Sequence, residues 1–151
     1  MNDTIEYAKT RLEELIAFFG INAETTSKET EDGIELDIEP SASTPRLIGH
    51  HGDTLRALEY IINQMVRHHD PTAPRISVDV AGYRQARREQ LEQMARDVAA
   101  RVSESGEEEQ LKPMNPAERR IVHMVLRDIP EVQTESRGTD RDRHIVVMPA
   151  E

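Results

Sequence analysis

The chain has 151 residues, 36% of them apolar and 32% charged, with a formal charge of −10 and no cysteine. That length makes room for one ordinary domain or two small ones, and the lack of cysteine excludes disulfides, thiolate metal sites and cysteine nucleophiles. No apolar run reaches membrane-spanning length, and Met1-Asn2-Asp3-Thr4-Ile5 has neither the basic nor the apolar region of a signal peptide, so the expectation is a cytoplasmic protein without membrane insertion.

Ile5, Ala8, Leu12, Leu15, Ile16 and Phe19 recur at helical spacing and predict a helix over residues 4–19, stopped by Gly20. Residues 21–26 read as a weak strand and 28–33 as a turn. Ile34, Leu36 and Ile38 alternate with Glu35, Asp37 and Glu39, the pattern of a half-buried strand. Pro45 opens a turn of helix at most, ending near Ile48. After Gly52 a helix runs to about His69, with Leu55, Leu58, Ile61, Ile62, Met65 and Val66 on one broad face; Pro71 and Pro74 end it. Ile76, Val78 and Val80 form another alternating strand.

Gly82 marks a boundary. Residues 83–102 predict a charged helix with Leu91, Met94, Val98 and Val102 as its apolar stripe, and 110–112 a short strand. Asn115, Pro116 and Glu118 are the N-cap, first-turn proline and capping-box acid of the next helix. Strands at 132–136 and 144–148 flank a turn containing Gly138. Both halves are therefore predicted as α+β units with a small, mostly antiparallel sheet.

The acid is unevenly spread. Residues 1–45 carry 3 basic and 11 acidic side chains, whereas 46–102 carry 9 and 7, and 113–151 carry 6 and 7. A net negative chain is a poor partner for nucleic acid, so such a site has to be a local patch in the two arginine-rich segments.

Gly49-His50-His51-Gly52 lies in the first of these, ahead of a helix. Two glycines remove side-chain bulk, so that a sugar-phosphate backbone can approach the main chain. Free amides at the following helix start favour an anion. Alone, such a turn is also an ordinary connection between helices. The segments LIGHHGDTLRALEYIINQMV and VDVAGYRQARREQLEQMA resemble the bacterial Jag family, also called KhpB or SpoIIIJ-associated protein. The resemblance implies a type II KH domain (helix-strand-strand-helix-helix-strand) over residues 1–81. In that reading Gly49, His50, His51 and Gly52, with Arg46, hold phosphates, and the aliphatic side chains Ile48, Leu55 and Ile76 receive bases. Family loops usually include Arg or Lys where His50 and His51 stand, so the expectation is a grip on phosphate that is weaker or pH-dependent. With few aromatics, an aromatic stacking platform is not expected. His50-His51 and His68-His69 lack the carboxylate-histidine pattern of a zinc site, and neither metal nor cofactor is expected.

In the second segment Arg119 and His123 are four residues apart on the helix opened by Asn115. At about 100° per residue Arg119, Arg120, His123 and Arg127 share one sector, opposite Ile121, Val122, Met124, Val125 and Leu126. A solvated polar face is the bland reading; the absence of carboxylates other than Glu118 argues for a site. LKPMNPAERRIVHMVLRDIPEVQTESRGTDRDRHIVVMP resembles the R-three-H domain, which is associated with single-stranded nucleic acid. This implies a small α+β domain over residues 82–151, following the KH domain in the order found in Jag. Jag proteins commonly begin with a further domain and a basic linker; this chain starts directly at the KH helix, so the expectation is that any function of that domain is absent here or supplied otherwise.

The family implies single-stranded RNA as ligand, single-stranded DNA also through the C-terminal domain, a small KH-domain protein as partner, and a regulator or RNA chaperone linked to envelope growth or division. No nucleophile motif, phosphate loop with lysine or paired carboxylates support an enzyme. The alternative is a protein-interaction adaptor of KH fold with little RNA affinity, which the acidic charge favours.

Overall fold

In the computed structural model, which describes residues Met1–Glu151, the chain divides into two units, Met1–Tyr83 and Arg84–Glu151. In the first, α1 (Asn2–Phe18) buries Thr4, Ala8, Leu12 and Ile16, an i, i+4 row. Phe19, expected on that stripe, is 54% exposed. The helix ends before it, and Gly20, at φ +75°, turns the chain away.

Strands β1 (Thr25–Thr30) and β2 (Gly33–Ile38) form an antiparallel hairpin. The strand expected at 21–26 is thus displaced, and the expected turn at 28–33 shrinks to Glu31 and Asp32. Backbone pairing rather than hydrophobicity holds β1, since only Thr25 of its six residues is buried.

β2 pairs in parallel with β3 (Ile76–Val80), Leu36 opposite Val78. With the order β1-β2-β3, this sheet is mixed rather than mostly antiparallel as expected. A parallel neighbour needs a crossover. It is supplied by α2 (Thr44–Ile48), a 3-10 turn (His50–Gly52) and α3 (Asp53–His69). Ile34, Leu36, Ile38, Ile76, Val78 and Val80 pack against Leu12, Ile16, Leu47, Leu55, Leu58, Ile62 and Val66 as one core. Each fully buried side chain of this kind contributes about 1.5–3 kcal/mol.

Polar contacts fasten α3 to β3. The Asn63 amide donates to Ile76 O at 2.6 Å and accepts from Ile76 N at 3.0 Å. The buried Glu59 carboxylate accepts from Val78 N at 3.1 Å and from Arg75 at 3.2 Å. On the other face of the sheet Asp37 stands opposite Asp79. Partial desolvation, then the charges of Asp79 and Glu35, raise the Asp37 carboxyl above its ordinary 3.8.

α4 (Tyr83–Ser105) starts on the last residue of the first unit and, in the second, buries Leu91, Ala95, Val98, Ala99 and Val102; it runs three residues past the expected end. β4 (Glu109–Gln110), β5 (Val132–Arg137) and β6 (His144–Pro149) form an antiparallel sheet of order β4-β6-β5. α5 (Pro116–Arg127) is capped as expected: Asn115 Oδ1 accepts from Glu118 N at 3.0 Å. The Glu118 carboxylate, 5% exposed, accepts from Arg87 Nε at 2.8 Å and so ties α5 to α4. The core takes Val122 and Leu126 fully and Ile121 and Val125 in part, while Met124 is exposed. No helix is long and apolar enough to cross a membrane.

Candidate nucleic-acid interface

The Gly-x-x-Gly segment joins α2 to α3, and its backbone is unusual at three positions. Gly49 has φ +70° and ψ −167°; a Cβ there would run into the Thr54 side chain. His51 is left-handed, φ +50° and ψ +32°, and so is Gly52, φ +79° and ψ +14°, where a Cβ would come within 2.9 Å of the Tyr83 ring. The two glycines are therefore demanded from inside, by Thr54 and Tyr83, as well as leaving the outside open. A non-glycine residue held left-handed costs on the order of 1 kcal/mol or more, and such residues concentrate at functional sites. No side chain caps the N-terminus of α3; its first amide, that of Asp53, donates to the His50 carbonyl, and the amides of the rest of the first turn are left without a side-chain cap.

The His50 and His51 rings stack with centroids 4.0 Å apart; His50 is exposed and His51 partly covered. Arg46 is exposed on α2, and its Nη2 donates to the Phe19 carbonyl at 3.0 Å. Ile48 is partly covered and packs at the edge of the core. Two expected groove residues are not at the surface. Leu55 is 2% exposed and Ile76 0%, because each lies on the inward face of its element and is used up by the core. Phe18 and Phe19, the second of them expected on the apolar stripe of α1, are 89% and 54% exposed at the end of that helix, where the Phe19 carbonyl meets Arg46 of α2.

In the second unit Arg119, Arg120 and His123 of α5 line a cavity of about 400 Å³ with Pro116, Thr134, Glu135, Ser136, Arg143 and Ile145. Thr134 and Ser136 alternate along β5 and so share a face. His123 Nδ1 lies 2.7 Å from Thr134 Oγ1. Arg119 Nη1 donates to Met114 O at 2.6 Å, holding the start of α5 as well as facing the cavity. Arg127 shares the helix sector but does not line the cavity; its nearest carboxylate is its neighbour Asp128, 3.8 Å away. Arg143, whose Nη1 donates to Gly138 O at 3.2 Å, takes that place. Sequence spacing on α5 could not find it, because it reaches the cavity from the turn before β6. The one carboxylate of the lining, Glu135, accepts from Arg137 Nε at 2.9 Å. In a chain of charge −10, three arginines and a histidine thus converge on one concave surface. No three His, Asp or Glu side chains are grouped to hold a metal ion.

A basic cavity between one helix and a short antiparallel sheet defines the second unit's class: residues 89–149 match the family model of the R-three-H domain, and the chain carries that domain. Beyond it, the chain is similar to proteins called RNA-binding protein KhpB. That of Clostridium symbiosum is 37% identical over 101 residues, 67% of this chain and 46% of that protein. That of Bacillus subtilis (strain 168) is 29% identical over 147 residues, 96% of this chain and 70% of that protein. That of Lactiplantibacillus plantarum is 35% identical over 101 residues, which cover 31% of its length. The chain thus spans less than half of the first and third of these relatives.

Proposed function

We propose that this chain is a non-enzymatic, single-stranded RNA-binding protein of the KhpB kind. In this reading residues 1–81 are a type II KH domain and 82–151 the Arg-x-x-x-His domain. The observation that carries it is the cavity on α5, where Arg119, Arg120, His123 and Arg143 meet without an uncompensated carboxylate. Hydroxyls of Thr134 and Ser136 add neutral hydrogen-bonding groups to that lining, a combination suited to phosphate and sugar rather than to an apolar ligand. In the first unit the uncapped start of α3 behind two glycines suits the backbone of a single strand. The relatives, named as RNA-binding proteins, support RNA over other polyanions.

Two weak sites on one chain bind one strand with the benefit of effective concentration when the strand spans both. A role in post-transcriptional regulation or as an RNA chaperone linked to envelope growth or division, with a small KH-domain partner, is what the resemblance of the sequence to the Jag family implies. Filter binding of single-stranded RNA at two salt concentrations tests the proposal. Salt-sensitive retention supports it, and none at low salt would leave the adaptor reading.

A further inference from the structure

We infer that Phe18 and Phe19 form a stacking step for bases of an RNA strand held at loop 49–52; this rests on reading that loop as a phosphate cradle. These are the two phenylalanines of the protein, and folding uses neither: both are exposed and neither belongs to the core of the unit. A single exposed apolar residue is ordinary; the protein's whole complement of phenyl rings at two consecutive exposed positions is not.

Their position is fixed. The bond from Arg46 Nη2 to Phe19 O holds the end of α1 against α2. With a rise of about 1.5 Å per residue, Arg46 lies roughly 5 Å along α2 from Gly49, within a nucleotide or two of the loop. The exposed Arg46 guanidinium, bonded to the Phe19 carbonyl, places a cation at the end of α1; of the carboxylates on the last turns of α1, Glu14 is paired with Arg11 at 2.6 Å, while Glu13, which accepts from Thr25 N at 2.9 Å, keeps its charge. Flat rings next to a cation match the alternation of base and phosphate. They match a protein partner poorly. Two phenyl side chains offer roughly 300–500 Å², short of the ~800 Å² per side of a standard interface.

The chain contains no tryptophan, so Phe18→Trp introduces a single fluorescent reporter. An eight-nucleotide single-stranded RNA should quench its emission. Phe18→Ala should weaken binding of that RNA roughly 5- to 150-fold, the worth of one base–aromatic stack, with unchanged melting, and Phe18→Tyr should bind as wild type does. A four-nucleotide strand that fills the loop alone should be nearly insensitive. Unquenched emission, or Phe18→Ala binding as tightly as a wild type that does bind RNA, overturns the inference and leaves the loop reading standing. An emission shift that depends on protein concentration without RNA assigns the rings to self-association and also overturns it. A wild type that binds no RNA removes the loop reading and this inference together.

Discussion

His123 Nδ1 sits 2.7 Å from Thr134 Oγ1, so a side chain of β5 sets the orientation of the ring on α5. Arg119, one turn earlier, is not part of that pair; it is anchored to the Met114 carbonyl instead. The two residues that give the motif its spacing are therefore held by different elements. Thr134→Val should cost about 0.5–1.5 kcal/mol of stability in urea melts. It should weaken RNA binding about as much as His123→Ala does, and the double variant should lose little more, since both remove one pair. Fully additive losses would mean that the threonine does not position the ring.

Arg120 and Arg143 face the cavity without fixing the start of the helix as Arg119 does. Arg120→Glu with Arg143→Glu should therefore weaken a long strand far more than an oligonucleotide confined to the loop of the first unit. The salt slope should become shallower by roughly 0.7 for each phosphate that the variant no longer neutralises. Arg127→Glu, outside the cavity, should do little by comparison. Equal losses for long and short strands would show that the two sites do not share one strand.

His50→Lys with His51→Lys, which places fixed cations in the loop, should tighten binding of short RNA. His50→Asp with His51→Asp should abolish loop binding without changing the circular-dichroism spectrum. An affinity for short RNA that neither pair of substitutions changes would separate these rings from phosphate.

Leu55 is enclosed by the core. Leu55→Ala should cost about 2–5 kcal/mol of stability, read from denaturant unfolding. RNA affinity under fully folded conditions should change little. A selective loss of binding with normal stability would return Leu55 to the binding surface.

Asp37 has its folded-state carboxyl raised by partial desolvation and by Asp79 and Glu35. The folded form therefore holds its proton more tightly than the unfolded one. That contribution is fully present below the unfolded value near 3.8 and lost as pH rises through the raised folded value. Asp37→Asn should raise the melting temperature at pH 7, and the difference should fade below about pH 4. A gain that persists at pH 3 would point to a cause other than charge.

The period of the apolar residues makes most elements legible, because α3, β3 and α5 each bury one face, and Asn115-Pro116 announces the start of α5. β1 lies later than the sequence pattern predicts, since its pairing is made by the backbone of β2, which leaves no trace in a polar strand. The parallel register of β2 and β3 is equally invisible in alternation alone, which is the same for either direction. In the site, motif positions such as Gly49 and His123 can be read from spacing. Leu55 and Ile76 cannot be assigned between groove and core that way, since an aliphatic side chain serves both. Arg143 depends on how the turn before β6 folds back.

The Asn63 amide meets both the N–H and the carbonyl of Ile76, and Glu59 takes the next inward-facing amide, that of Val78. These side chains do for the margin of β3 what another strand would do. At the opposite margin β1 shows solvent a sequence of Thr, Ser, Lys and Glu, which blunts strand addition by polarity rather than by occupancy. Neither margin of this sheet is thus a sticky template, and resistance to edge-to-edge aggregation is built into α3 itself. Asn63→Leu would unmask Ile76 as a place where a second extended chain could dock.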